Sequence, residues 1–183
     1  MKFRLALTIP ALLIPTTAFA GVKIDEKSST YDLRGLTIAA IHEDILRNAP
    51  RDADGVVDGE TVNETNWSLN FEAANGNCQI SFDAVNVSIT MKLPRWVDEA
   101  QAPADVQKAW SAYIVSLREH ENQHRDIAVK AAEAVDRLIH DQQPASKCSD
   151  IKQRIRDSAK TILNDAEVEQ EKYDENAPSF DID

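Results

Sequence analysis

His120-Glu121-Asn122-Gln123-His124 reads H-E-x-x-H and falls inside a long stretch of unbroken helical periodicity. On a helix, residues four apart lie on one face about one turn apart, so both imidazoles can ligate a single ion. The glutamate between them projects beside that ion, where it can take a proton from a metal-activated water. Residue types and spacing together point to zinc, one ion per chain, and to hydrolysis.

From Ala104 onward Trp110, Tyr113, Leu117, His120, His124, Ile127, Ala131, Val135 and Leu138 recur at three- and four-residue spacing, so the histidines lie in register with the apolar stripe of the helix. Buried imidazoles need partners, and a metal ion supplies one. Pro144 breaks the chain after Asp141, and a second helix is predicted over Ser149 to Tyr173, with Ile151, Ile155, Ala159, Ile162 and Ala166 apolar. The short connection makes the two helices an antiparallel hairpin. Folding the hairpin about residues 144–145 sets Glu169 level with His120 and Asp165 level with His124. Glu169 is therefore the favoured third ligand, with Asp165 as the alternative at this point.

Upstream, Ser29 to Leu33 reads as a short strand closed by Gly35, and Thr37 as the N-cap of a helix over Ile38 to Arg47. His42-Glu43 in that helix has no second histidine at helical spacing and is assigned to the surface. Asn48 to Gly59 reads as a loop. Its aspartates Asp52, Asp54 and Asp58 lack the closing glutamate of a calcium loop. Thr61 to Ala73 alternates around Trp67, Leu69 and Phe71, and Cys78 to Leu93 around Ile80, Phe82, Val85, Val87 and Ile89. Asn75-Gly76 between them signals a hairpin. Leu93-Pro94-Arg95-Trp96 is expected to end the sheet, since proline cannot continue a central strand. The predicted fold is α+β: a small antiparallel sheet with an N-terminal helix, packed on a long C-terminal helical hairpin that carries the zincin-like motif.

The first twenty residues read as an export leader. Lys2 and Arg4 precede a short apolar run from Leu5 to Ile14, and Ala18-Phe19-Ala20 supplies an A-x-A cleavage site. A single mature domain, residues 21–183, is expected in the periplasm or outside the cell. Formal net charge is -11, and removing Lys2 and Arg4 with the leader takes it to -13. That balance argues against nucleic acid and anionic membrane surfaces as partners. The two cysteines, Cys78 and Cys148, are expected to form a disulfide in an oxidising compartment. No further apolar stretch is long enough for stable membrane insertion once the leader is removed.

Several separated pieces also occur together in a known order. They are Tyr31-x-x-x-Gly35-x-Thr37, Trp67, Cys78, Leu93-Pro94-Arg95-Trp96, Trp110, Tyr113, His120-Glu121-x-x-His124, Cys148 and Tyr173-Asp174. In this the chain resembles a bacterial family of predicted secreted zinc-dependent proteases, domain of unknown function 922. The resemblance implies a small exported metallopeptidase-like domain acting on a peptide or protein substrate. It makes His120 and His124 the ligands and Glu121 the base. One departure stands out: in that family Tyr-Asp leads into a T-x-H-G segment, whereas here Tyr173-Asp174 is followed by Glu175-Asn176-Ala177-Pro178-Ser179-Phe180, without histidine. Either Glu169, Asp165 or Asp174 then completes the site, or the chain is a catalytically silent zinc-binding or scaffold protein. Tyr173 and Arg95 are the residues considered for stabilising an oxyanion.

Overall fold

The structure is a computed structural model that describes residues 21–51, 55–177 and 182. The expected leader, Asp52, Asp54 and residues 178–180 lie outside the described residues.

In chain order the elements are strand β1 (Lys23–Leu33), helix α1 (Ile38–Asn48), strands β2 (Glu60–Ala74) and β3 (Asn77–Trp96), a 3-10 turn (Glu99–Gln101), and helices α2 (Ala104–His140) and α3 (Cys148–Glu175). The strands form one sheet in the order β1-β3-β2. The β2–β3 hairpin is antiparallel and turns at Asn75 (φ 53°) and Gly76 (φ 77°), the left-handed pair such a tight turn requires.

The sheet departs from expectation in three ways. It is mixed rather than antiparallel, because β1 runs parallel to β3 from Lys23↔Asn86 to Leu33↔Trp96. The chain between them, α1 and then β2, provides the crossover a parallel pair needs. Second, β1 begins at Lys23 rather than Ser29. Its first eight residues are exposed, so the β3 ladder holds them and no buried face marks them in the sequence. Third, β3 continues through Pro94 to Trp96. Pairing with β2 stops at Glu60↔Lys92, so at Pro94 the strand has a neighbour on one side only and tolerates a residue without an N–H.

Side chains of the turn from β1 into α1 fix that corner. Gly35 adopts φ 130°, and a Cβ there would lie 2.8 Å from the Cβ of Ala40. The Trp96 indole N–H donates to the Gly35 carbonyl (2.9 Å), and the backbone N–H groups of Arg34 and Gly35 donate to Asp44 and Asp98. Thr37 caps α1 as expected, its hydroxyl oxygen accepting from the Ala40 N–H. The loop before β2 is fastened at Asp58, whose carbonyl accepts from the Tyr31 hydroxyl (2.6 Å) and whose carboxylate accepts from the Tyr113 hydroxyl (2.9 Å).

Two apolar clusters lie along α2. One gathers Leu33, Ile41, Trp96, Trp110, Tyr113 and Leu117; the other gathers Val85, Val87, Ile89, Ala132, Val135, Ile139, Ile151 and Ile155. Between Leu117 and Ala128 the buried face of α2 carries Glu121 and His124. The α2–α3 hairpin is present, and Cys78–Cys148 closes a disulfide between β3 and the first residue of α3. Such a bond belongs to an oxidising environment. Among the described residues no helix is long and apolar enough to cross a membrane. The last fully buried residue of α3 is Ala159, with Ile162 and Leu163 packed partly buried beside it, so its final three turns lie over α2 without a buried apolar anchor.

Candidate metal centre

His120 and His124 lie one turn apart on α2, and their Nε2 atoms approach to 3.0 Å. The carboxylate that meets them is Asp174, in the last turn of α3: its Oδ1 lies 3.1 Å from His120 Nε2 and 2.8 Å from His124 Nε2. Both imidazoles are nearly covered, while Asp174 remains half exposed. Gln170, one turn before Asp174, accepts through Oε1 from His124 Nδ1 at 2.9 Å. An amide oxygen only accepts, so a neutral His124 carries its proton on Nδ1 and turns a lone pair on Nε2 toward His120 and Asp174. Tyr173 stacks on the His120 ring with centroids 4.8 Å apart. Burial, and next the neighbouring His124, hold the His120 imidazole below its ordinary pKa, with Asp174 opposing. The neutral form is the one that ligates metal.

The residue types and distances fit a small divalent cation. Bonds of about 2.0–2.1 Å to a tetrahedral zinc imply ligand atoms roughly 3.3 Å apart. The edges of the observed triangle, 3.0, 3.1 and 2.8 Å, fall short of that by at most about half an ångström, so spreading of that size would admit the ion. The orienting hydrogen bond from His124 to Gln170 is the outer partner that metal-ligating histidines commonly have.

Of the three carboxylates considered from the sequence, Asp174 is at the cluster. Glu169 pairs with Lys130 at 3.3 Å and, with Asp165, Val168 and Lys172, lines an open depression on the surface of α3. The displacement has a geometric cause. The linker 141–147 is not helical and adds length before α3 starts, so the hairpin folds about Lys147, midway between His124 and Gln170.

Glu121 points from the same helix toward β2. Its Oε2 accepts from the Thr61 hydroxyl at 2.7 Å, and the residue is only 3% exposed. Burial raises its pKa, opposed by the Thr61 hydrogen bond and by His124, with Asp174 and Glu60 adding to the rise. Gly59 leaves the room this requires: a Cβ on it would lie 2.6 Å from Glu121 Oε1.

The two oxyanion candidates separate. Arg95 is held on the surface by a two-point ion pair with Asp32, at 2.7 and 2.9 Å. Tyr173 is at the site, and its phenol is pushed up first by burial and then by Asp174. Gln170, Thr61 and Gly59 were not singled out from the sequence. Gln170 had a usable signal, lying four residues before Asp174 on the same helical face. Thr61 and Gly59 had none, because their roles depend on where β2 meets α2.

Residues 28–178 match the family described as bacterial protein of unknown function (DUF922). The chain belongs to that family. No match is found among curated proteins or among solved structures.

Proposed function

We propose that this chain is an exported zinc-dependent hydrolase, most plainly a metallopeptidase, with His120, His124 and Asp174 as the metal ligands and Glu121 as the general base. The observation that carries the reading is the convergence of three ligand atoms within 3.1 Å of one another, beside a buried carboxylate on the same helix. His120, His124 and Asp174 would hold a zinc ion, which when bound would bring a water's pKa down to about 7 and polarise a peptide carbonyl.

The chain's own groups do the rest. Glu121, tied through Oε2 to Thr61, keeps Oε1 to accept a proton from the attacking water and return it to the leaving amine. Its burial raises its proton affinity toward the range useful to a base near neutral pH. Gln170 holds His124 in one tautomer. Tyr173, kept protonated by its raised pKa, is a donor for the developing oxyanion.

A second reading, metal binding without turnover, draws on one feature: Glu121 is almost wholly covered and already hydrogen-bonded. Glu121→Gln separates the two. The enzyme reading expects peptide hydrolysis to fall by at least about a hundredfold with zinc affinity unchanged. Full activity in that variant removes Glu121 as the base, and no hydrolysis of any peptide pool by the zinc-loaded wild type favours the silent protein.

A further inference from the structure

A second group of ligating side chains lies toward the far end of α2. His140 stands sixteen residues beyond His124, or about 24 Å along the helix. Asp136 precedes it by one turn, and Asp83 faces them from β3. His140 Nε2 lies 3.3 Å from Asp83 Oδ2, and His140 Nδ1 lies 3.5 Å from Asp136 Oδ2. One ligand atom from each of the three lies within 4.8 Å of the others.

The position of Asp83 is unusual for its residue type. Val85, Val87 and Ile89 on β3 are buried, and strand alternation puts Asp83 on that same inward face. The β2–β3 ladder shifts register between Asn70 and Phe71, just past the Leu69↔Asp83 pair. An acid therefore sits where the pattern calls for another aliphatic residue, under the last turns of α2.

Two carboxylate oxygens in the group expose less than 1 Å² each: Asp136 Oδ1 accepts no hydrogen bond, and Asp83 Oδ2 has the 3.3 Å approach of His140 Nε2 but no hydrogen bond of good geometry. A carboxylate oxygen removed from water without a donor is costly. Charge sharpens the point. Asp83 and Asp136 bring two negative charges, and His140 can offset at most one of them. A divalent cation neutralises both carboxylates and leaves the imidazole neutral, as a ligand.

We propose that Asp83, Asp136 and His140 form a second divalent-cation site, separate from the histidine pair of the first. One nitrogen and two carboxylate donors suit a borderline ion such as Zn²⁺ or Mn²⁺, with water completing the shell. Asp136 and His140, at positions i and i+4, present their donors from one helical face, and Asp83 closes the set from the sheet. The ion joins the end of α2 to β3. Its role is structural: it fixes the helix end from which the linker 141–147 departs toward the disulfide.

The test uses the full chain, first with His120→Ala/His124→Ala to remove the other centre. Calorimetric titration with Zn²⁺ or Mn²⁺ alone is expected to show one remaining equivalent, and the ion is expected to raise the melting temperature. Adding Asp136→Asn, nearly isosteric, is expected to weaken that binding at least about tenfold and cancel the thermal shift. In the wild type the same single change is expected to take zinc uptake from two equivalents to one. No remaining equivalent in a folded His120→Ala/His124→Ala protein overturns the proposal. So does an equivalent that Asp136→Asn and Asp83→Asn both leave unchanged. The wild-type count keeps the test decisive if the multiple variant does not fold.

Discussion

Glu121 depends on two residues that touch no metal. Thr61 holds one carboxylate oxygen, and Gly59 makes room for the other. Gly59→Ala is therefore expected to swing Glu121 off Thr61. Activity should fall roughly a hundredfold, as a displacement near 1 Å can cause, while stability changes by less than about 3 kcal/mol. Hydrolysis rate and chemical denaturation of the same variant check both numbers, and unchanged activity would show that the carboxylate's present position is not the working one. At this scale the sequence was partly informative. H-E-x-x-H named the histidines and the glutamate, because helical spacing alone puts i and i+4 on one face. It did not reveal Thr61 or Gly59, which reach Glu121 only because β2 starts beneath α2. Nor did counting along the hairpin single out Asp174, since the nonhelical linker displaces α3 relative to a simple reflection.

Among the elements, α3 is the one whose order the metal centre should control. Its first three turns bury Ile151, Ile155 and Ala159, and Ile162 and Leu163 are half-buried beside them, but no later residue of the helix is anchored in the core. Gln170, Tyr173 and Asp174 attach the later turns to the histidine pair. Chelation is expected to speed amide exchange over Asp165 to Glu175 and leave Ile151 to Ala159 protected, as hydrogen-exchange mass spectrometry can read. Equal protection with and without metal would mean the contact to α2 suffices by itself. The loop ahead of β2 responds to alkali instead. Burial, with the charge of Asp58 adding, raises the pKa of both Tyr31 and Tyr113. The folded state therefore keeps protons that the unfolded chain gives up above about pH 10. Stability is full below that pH and declines as pH rises past it. Tyr113→Phe should flatten the decline, measured as melting temperature between pH 8 and 11. The helices and the hairpin were legible in the sequence because each carries its own period or turn signal. Most of β1 was not, since its first eight residues are exposed and only backbone pairing to β3 defines them. Its parallel direction was equally hidden, because strand direction is a property of the path through α1 and β2.

For the whole molecule, the sheet, α2 and α3 converge on the candidate metal centre around Glu121, His120, His124 and Asp174, and the disulfide joins two of those parts. Cys78–Cys148 spans 70 residues, a loop for which chain entropy allows about 4 kcal/mol of stabilisation. Replacing both cysteines by alanine should lower unfolding free energy by roughly 2–5 kcal/mol, read from denaturant titration under oxidising conditions. Three of the residues outside the motif on which the resemblance rests have structural roles. Trp96 donates to the Gly35 carbonyl, Thr37 caps α1, and Tyr31 fastens the loop end at Asp58. They build the frame, and His120, His124 and Asp174 are what the frame brings together. The most direct measurement is zinc affinity, by competition with a chromogenic chelator, for the wild type, Asp174→Asn and Glu169→Gln. A tight zinc equivalent that Asp174→Asn weakens by about a hundredfold and Glu169→Gln leaves intact is the predicted result. Wild-type affinity in Asp174→Asn, or no tight zinc in the wild type, would contradict it.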